Sequence, residues 1–138
     1  MKLVKRLKSE GAPIDCVGFQ YHEDINPEID VPEPDVFQQY MKLLTDLGLT
    51  VRVSEIDASV APPVTPEKLD EHAQVFVEAI DSVLKNTGAT CFSMRGFTDL
   101  YSSLQPIFSY TGLGHGLLLN ADFSPKPAYE ALINRLQN

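Results

Sequence analysis

The stretch Leu49-Thr50-Val51-Arg52-Val53-Ser54-Glu55-Ile56-Asp57 decides the fold, because its pattern predicts a strand with polar chemistry at its carboxyl end. Apolar and polar side chains alternate along it, and β-branched residues are dense. Side chains two positions apart project to the same side of a strand. The alternation therefore predicts that Glu55 and Asp57 share one side and that Val53 precedes them on that side. Acids at a strand end can also simply meet water, so this stretch alone leaves a solvated end and a functional site both open.

Similar units of one strand and one helix lie on both sides of this stretch. The patterns predict strands over residues 14–21, 50–57 and 90–98 and helices over residues 35–47, 66–87 and 125–137. Residues 1–10 are typical of the end of a further helix, which stops at Gly11. Alternating strands and helices indicate parallel strands joined by right-handed crossovers, so the expected class is α/β. Residues 100–123 carry no predicted element, and loops of that length are usually functional.

Polar side chains collect where the predicted strands end. Gln20 and His22 close the first strand, Glu55 and Asp57 close the second, and Asp99 follows the third. In folds built from parallel strands, ligands bind at the carboxyl ends of the strands. The shared location favours a functional site over independent solvated ends.

Charge and hydropathy exclude several classes of partner. The chain has 138 residues with 11 basic and 19 acidic side chains, a formal net charge of −8. An acidic surface repels phosphate backbones and anionic membranes, so we expect no nucleic-acid or membrane partner. No apolar run approaches the roughly 20 residues that cross a bilayer. The basic start of the chain lacks the apolar core of a signal peptide.

Cysteine and histidine spacing predicts neither a disulfide nor a metal site. Cys16 and Cys91 fall in the strands expected on either side of the Glu55 strand. Next-nearest strands lie about 9.5 Å apart, too far for a disulfide, so we expect two buried free thiols. His22, His72 and His115 do not follow a zinc spacing, and we expect no metal or other cofactor.

Four motifs, in order and spacing, resemble glycoside hydrolase family 10, whose main activity is endo-β-1,4-xylanase. They are residues 14–22 (IDCVGFQYH), 53–57 (VSEID), 96–99 (GFTD) and 125–129 (PKPAY). The family fold is a TIM-type (β/α)8 barrel, and these motifs resemble its sixth, seventh and eighth strands and its last helix. The resemblance implies that residues 1–138 are the C-terminal portion of such a barrel.

The resemblance also implies roles for individual residues. Glu55 resembles the catalytic nucleophile of a retaining mechanism, with His22 and Asp57 orienting it. Gln20 resembles a polar substrate-binding residue, and Arg95 occupies a position that lines the sugar site in the family. Tyr101 could offer a ring to a sugar, although packing within the core or the loop is the favoured role for it. For Asp99 a structural role is expected. The implied substrate is β-1,4-linked xylan or a related plant polysaccharide, and the implied location is extracellular.

Two departures from the family pattern bear on activity. Arg95 and Ser103 stand where the family normally has tryptophan, and the chain contains no tryptophan. The family's acid/base residue follows the fourth strand, which this chain lacks, so the chain alone is expected to be inactive. Three function classes therefore stay open: the nucleophile-bearing part of a glycosidase, a non-catalytic barrel remnant or carbohydrate-binding module, and an unrelated small α/β sheet protein. We expect open sheet edges to bind an N-terminal half-barrel or a second copy.

Overall fold

A computed structural model describes residues 1–25, 34–104 and 114–137 of the chain. Helices and strands alternate along these residues, as the periodicity predicts. The elements are α1 (Lys2–Ser9), β1 (Cys16–Ile25), α2 (Pro34–Thr45), β2 (Thr50–Val60), α3 (Pro66–Lys85), β3 (Ala89–Phe92), a 3₁₀ turn (Asp99–Tyr101) and α4 (Pro127–Gln137).

The three strands form one parallel sheet in the order β1-β2-β3, so β2 is central. Local sequence signals set the helix ends: Gly11 follows α1 with a φ of 82°, and the Thr65 side chain accepts a hydrogen bond from the Lys68 N–H at the start of α3. This arrangement makes the described residues an α/β unit whose three strands end on the same side.

A bulge in β2 overturns the prediction that Val53 shares a side with Glu55 and Asp57. Phe19 pairs with Val53, but the next residue of β1, Gln20, pairs with Glu55. Ser54 is therefore an extra residue in β2, and its hydroxyl donates to the Phe19 carbonyl at 2.9 Å. An extra residue inverts the alternation beyond it. Val53 lies in the hydrophobic core, whereas Glu55 follows on the opposite face.

The helices cover one face of the sheet and form the core with it. Met41 of α2, Phe76 of α3, and Val51 and Ile56 of β2 are fully buried there. α3 contacts all three strands as well as α2 and α4, so it is the main support of the sheet.

The opposite face of the sheet explains why the prediction of buried thiols is wrong. Cys16 and Cys91 are both exposed, and so is Arg52 on the strand between them. The prediction assumed that both faces of the parallel sheet are covered. Among the described residues, the helices cover only one.

The ends of all three strands differ from the sequence prediction, so the predicted site residues of β1 and β2 lie within these strands rather than at their ends. β1 continues beyond residue 21 to Ile25, because its pairing with β2 runs on to Val60. β3 ends at Phe92 rather than near residue 98, although the Arg95 N–H still donates to the Ile56 carbonyl at 3.1 Å. Gly96, with a φ of 142°, then turns the chain away from regular strand geometry.

Residues 105–113 of the predicted long loop lie outside the described residues. Among the described helices, none is long and apolar enough to cross a membrane.

Candidate active site

The register of β1 and β2 places two pairs of polar residues opposite one another. Gln20 pairs with Glu55, and His22 pairs with Asp57. Because directly opposed side chains on neighbouring strands lie within contact distance, each pair can interact across the strands. Arg95 joins them from the segment after β3, which stays hydrogen-bonded to β2. β1, β2 and the segment after β3 therefore bring five functional groups to one place.

Both carboxylate oxygens of Glu55 have nitrogen neighbours. The Gln20 amide donates to Oε1 at 3.1 Å. Nη1 of Arg95 contacts Oε2, and Nε2 of His22 lies 3.7 Å from the same oxygen. The Glu55 side chain is 31% exposed, so it stays reachable from solvent. This combination orients a carboxylate without burying it.

His22 is held by Asp57. Its Nδ1 lies 2.9 Å from Oδ1 of Asp57, whose side chain is almost completely buried. When Nδ1 donates this hydrogen bond to the carboxylate, the ring is fixed and Nε2 faces Glu55. A buried acid, an imidazole and a more exposed acid therefore form one connected row.

An open cleft of about 520 Å³ lies beside Glu55. A volume of this order is common for small-molecule sites. Its lining comes from β2 and from the segment after β3, namely Ser54, Glu55, Met94, Arg95, Tyr101 and Ser103. Tyr101 is 77% exposed, so its ring is available to a ligand rather than packed within the loop. Among the described lining residues, the apolar surfaces are those of Met94 and the Tyr101 ring.

The structure brings together all six residues predicted for the site: Gln20, His22, Glu55, Asp57, Arg95 and Tyr101. Asp99 contacts a different part of the chain. Its buried carboxylate lies 2.6 Å from Nζ of Lys126 and accepts a hydrogen bond from the Leu117 N–H. These contacts tie the 3₁₀ turn to the start of α4.

Sequence reasoning missed a buried polar cluster next to Asp99. The Lys126 side chain is buried and its Nζ donates to the His115 carbonyl at 2.7 Å. Burial lowers the pKa of Lys126, and Asp99 opposes this shift. His72 of α3 is fully buried, and its pKa is lowered to about 4 by burial and by the Lys126 charge. A lysine between two prolines was the available signal, but its burial depends on packing that spacing does not show.

Residues that could bind a metal ion do not converge among the described ranges: no group of three or more histidine, cysteine, aspartate or glutamate side chains has a suitable arrangement there.

Comparison with known proteins identifies the family. The model of glycosyl hydrolase family 10 matches residues 1–135. The chain belongs to glycosyl hydrolase family 10. Its relatives are hydrolases with the TIM-barrel fold, and the interpretation as an unrelated small α/β sheet protein is therefore wrong.

Xylanases are among the relatives and structural neighbours of this family-10 chain. It is 28% identical to endo-1,4-beta-xylanase 2 of Aureobasidium pullulans, covering 99% of the chain and 39% of that protein. It is 31% identical to endo-1,4-beta-xylanase 5 of Pyricularia oryzae, covering 99% and 33%. Xylanase 10B of Thermotoga petrophila in complex with xylobiose superposes with a TM-score of 0.87 at 30% identity, covering 99% of the chain and 40% of that protein. The chain thus spans well under half the length of these relatives.

Proposed function

We propose that residues 1–138 form the C-terminal part of a (β/α)8 glycosidase barrel, with β1, β2 and β3 as its sixth, seventh and eighth strands. In this proposal Glu55 is the nucleophile of a retaining hydrolase that acts on β-1,4-linked xylan or a related plant polysaccharide. One observation carries the proposal: Glu55 lies in the central strand β2 on the face opposite the core, in an open cleft, with its carboxylate oriented by Gln20 and His22.

The proposed chemistry follows from this geometry. A Glu55 oxygen attacks the anomeric carbon and forms a glycosyl ester, while the bond to the leaving oxygen breaks and that oxygen takes the electron pair. His22 and Asp57 hold the nucleophile during this step. Water then attacks the same carbon and releases Glu55 as a carboxylate. A general acid/base is needed for both steps with natural substrates, and we propose that it comes from outside this chain.

Substrate binding is assigned to residues around the cleft. The Gln20 amide and the Arg95 guanidinium can donate hydrogen bonds to sugar hydroxyls, and the exposed Tyr101 ring offers an apolar face to a pyranose. The xylobiose bound by the Thermotoga petrophila enzyme supports an oligosaccharide ligand for this cleft.

Partners and location complete the proposal. The chain covers 40% of that enzyme, and the outer edges of β1 and β3 have no strand partner among the described residues. Unpaired edges bind further strands. We assign these edges to an N-terminal half-barrel or, in its absence, to a second copy. The family resemblance implies secretion, so we propose that the assembled protein is extracellular.

Covalent trapping tests the nucleophile. A fluorinated xyloside with a dinitrophenolate leaving group needs no acid catalysis, so a missing acid/base residue does not prevent the first step. We expect intact-mass spectrometry and peptide mapping to show one sugar ester on Glu55, both for the chain alone and when it is mixed with a family N-terminal half. Glu55→Gln should form none. A folded chain that gives no adduct in either mixture would refute the proposed role.

A second candidate function is non-catalytic carbohydrate binding. The observation that favours it is the ion pair between Arg95 and Glu55, which occupies the nucleophile. This function predicts that xylo-oligosaccharides bind with an affinity unchanged by Glu55→Gln and that no ester forms. Isothermal titration calorimetry of the unmodified chain and of Glu55→Gln measures the two affinities. The trapping experiment then decides between the functions, because the catalytic proposal requires the ester.

A further inference from the structure

The Arg95 guanidinium connects three side chains in the cleft. Its Nε donates to Oγ of Ser103 at 3.0 Å and lies 3.6 Å from Oδ2 of Asp57. Its Nη1 contacts Oε2 of Glu55. Arginine has a planar fork of donors, so binding Ser103 through Nε restricts where its other nitrogens can point. Ser103 thereby holds the guanidinium against Glu55.

This position affects the reaction assigned to Glu55. Gln20 already donates to Oε1, so the Arg95 contact leaves neither carboxylate oxygen without a close donor. The transition state of glycoside cleavage carries positive charge at the sugar ring. A guanidinium in contact with the attacking carboxylate places like charge beside that ring, and the interaction raises the barrier.

The ion pair between Arg95 and Glu55 is partly exposed, so it can break and form again. The side chains of Arg95 and Glu55 are 38% and 31% exposed, so water and salt reach both. Ion pairs of this exposure are weakened by salt and exchange with solvent. A sugar entering the cleft can therefore displace the guanidinium from Glu55, but it must compete with the ion pair to do so.

We propose that Arg95, positioned by Ser103, restrains Glu55 and slows its attack on the sugar. Arg95 acts through Glu55, so it is a positioning residue that sets how readily the site passes from sugar binding to covalent reaction. This inference rests on the proposed function of Glu55 as nucleophile. It adds that the rate of ester formation is controlled by one cation on the segment after β3.

The test compares the rate of ester formation with the fluorinated xyloside in four proteins: the unmodified chain, Arg95→Gln, Arg95→Lys and Arg52→Gln. We expect Arg95→Gln to react on the order of tenfold faster, because the neighbouring positive charge is gone. Arg95→Lys keeps a positive charge and should stay closer to the unmodified chain. Arg52→Gln removes an exposed arginine of β2 that is absent from the cleft lining, and it should react at the unmodified rate.

A second readout does not depend on a variant. In the unmodified chain, added sodium chloride should accelerate ester formation by screening the ion pair, and this acceleration should be absent in Arg95→Gln. Circular dichroism verifies that each variant is folded, and a misfolded Arg95→Gln leaves the salt response of the unmodified chain as the deciding result.

The outcomes separate this inference from the proposed function. An ester on Glu55 that forms equally fast, or more slowly, in Arg95→Gln overturns the restraint and leaves Glu55 as the nucleophile. A rate for the unmodified chain that falls or stays constant with salt also overturns it. No ester in any folded protein overturns both the nucleophile and the restraint.

Discussion

At the residue scale, Asp57 has the position of a group that works through a neighbour. It is 2% exposed, and its Oδ1 lies 2.9 Å from Nδ1 of His22. A buried carboxylate that accepts from Nδ1–H selects one tautomer of the ring and leaves Nε2 facing Glu55. Its importance to Glu55 is therefore indirect, through the orientation of His22.

Replacement of Asp57 tests whether this residue acts on Glu55 through His22. Asp57→Asn keeps the size of the side chain but removes the charge that favours the Nδ1–H tautomer. We expect ester formation on Glu55 to slow by roughly tenfold to a hundredfold, the range found for carboxylates that orient metal-bound histidines. Nitrogen NMR of the His22 ring should show a changed tautomer population.

The matched control for this replacement is Asp24→Asn. Asp24 accepts a hydrogen bond from Ser59 at 3.0 Å between the same two strands, so its hydrogen-bond partner is neither His22 nor Glu55. Its ester formation should stay within twofold of the unmodified chain. An equal decrease in the rate of ester formation in both variants would show that a general loosening of the β1–β2 pair, rather than the orientation of His22, explains the effect.

At the element scale, α3 holds the sheet in place from beneath the site. Its apolar stripe packs on β2, and Phe76 at its centre is fully buried next to the ring of His72. The bulge at Ser54 sits on the same central strand, and it lets Val53 and Ile56 both enter the core while Glu55 faces the cleft. α3 therefore packs on one face of β2, and the candidate site lies on the other face.

Removal of the Phe76 ring should destabilise the whole unit. We expect Phe76→Ala to lower the free energy of unfolding by about 3–5 kcal/mol, through lost burial and the cavity left behind. Leu84→Ala on the same helix is the matched control, since Leu84 is 52% exposed and should change stability by less than about 0.5 kcal/mol. Urea denaturation followed by circular dichroism measures both. Similar losses would mean that α3 does not anchor the core through Phe76.

At the scale of the whole molecule, the cluster of His72, Lys126 and Asp99 joins α3 to the start of α4 and to the turn after β3. Neither ring nitrogen of His72 has a hydrogen-bond partner of ordinary geometry among the described residues, although the Gly116 backbone partly opposes the lowering of its pKa. Lys126 and Asp99 are the charged groups that act on it. The folded state therefore favours a neutral imidazole at this position.

Stability should fall in mild acid for this reason. The pKa of His72 drops from about 6.5 in the unfolded chain to about 4 in the folded one, so the unfolded state binds a proton first as pH decreases. The contribution is complete above pH 6.5 and is lost progressively between pH 6.5 and 4. Between pH 7.5 and 5 the loss should be about 2 kcal/mol.

Replacement of His72 isolates this contribution. Urea denaturation at several pH values should give a shallower loss of stability below pH 6.5 for His72→Leu than for the unmodified chain, whatever the two stabilities are at neutral pH. Identical slopes for the two proteins would show that His72 is not the group responsible.

Self-association is the second prediction at this scale. The outer edges of β1 and β3 present unpaired backbone groups among the described residues, and such edges bind further strands. We expect light scattering of the isolated chain to show oligomers that grow with concentration and decrease when a family N-terminal half is added. A monodisperse monomer at high concentration would contradict this prediction.

Local patterns in the sequence determined the order of helices and strands, the parallel sheet with β2 at its centre, and which strands carry the polar residues. These features follow from side-chain periodicity and chain connectivity, which a linear pattern records directly. The motifs around Gln20, His22, Glu55 and Asp57 likewise indicated the family that the comparison shows.

Only the tertiary structure decided what depends on register and on packing between distant segments. A single extra residue, Ser54, moved Val53 to the face opposite Glu55, and periodicity alone does not show where a bulge falls. The exposure of Cys16 and Cys91 and the burial of Lys126 were likewise decided by which surfaces the helices and turns cover. The contact of Arg95 with Glu55 joins residues 40 positions apart, and it required β3 to lie beside β2. Periodicity records neighbours along one element, whereas charge pairing and burial across elements exist only once the chain has folded.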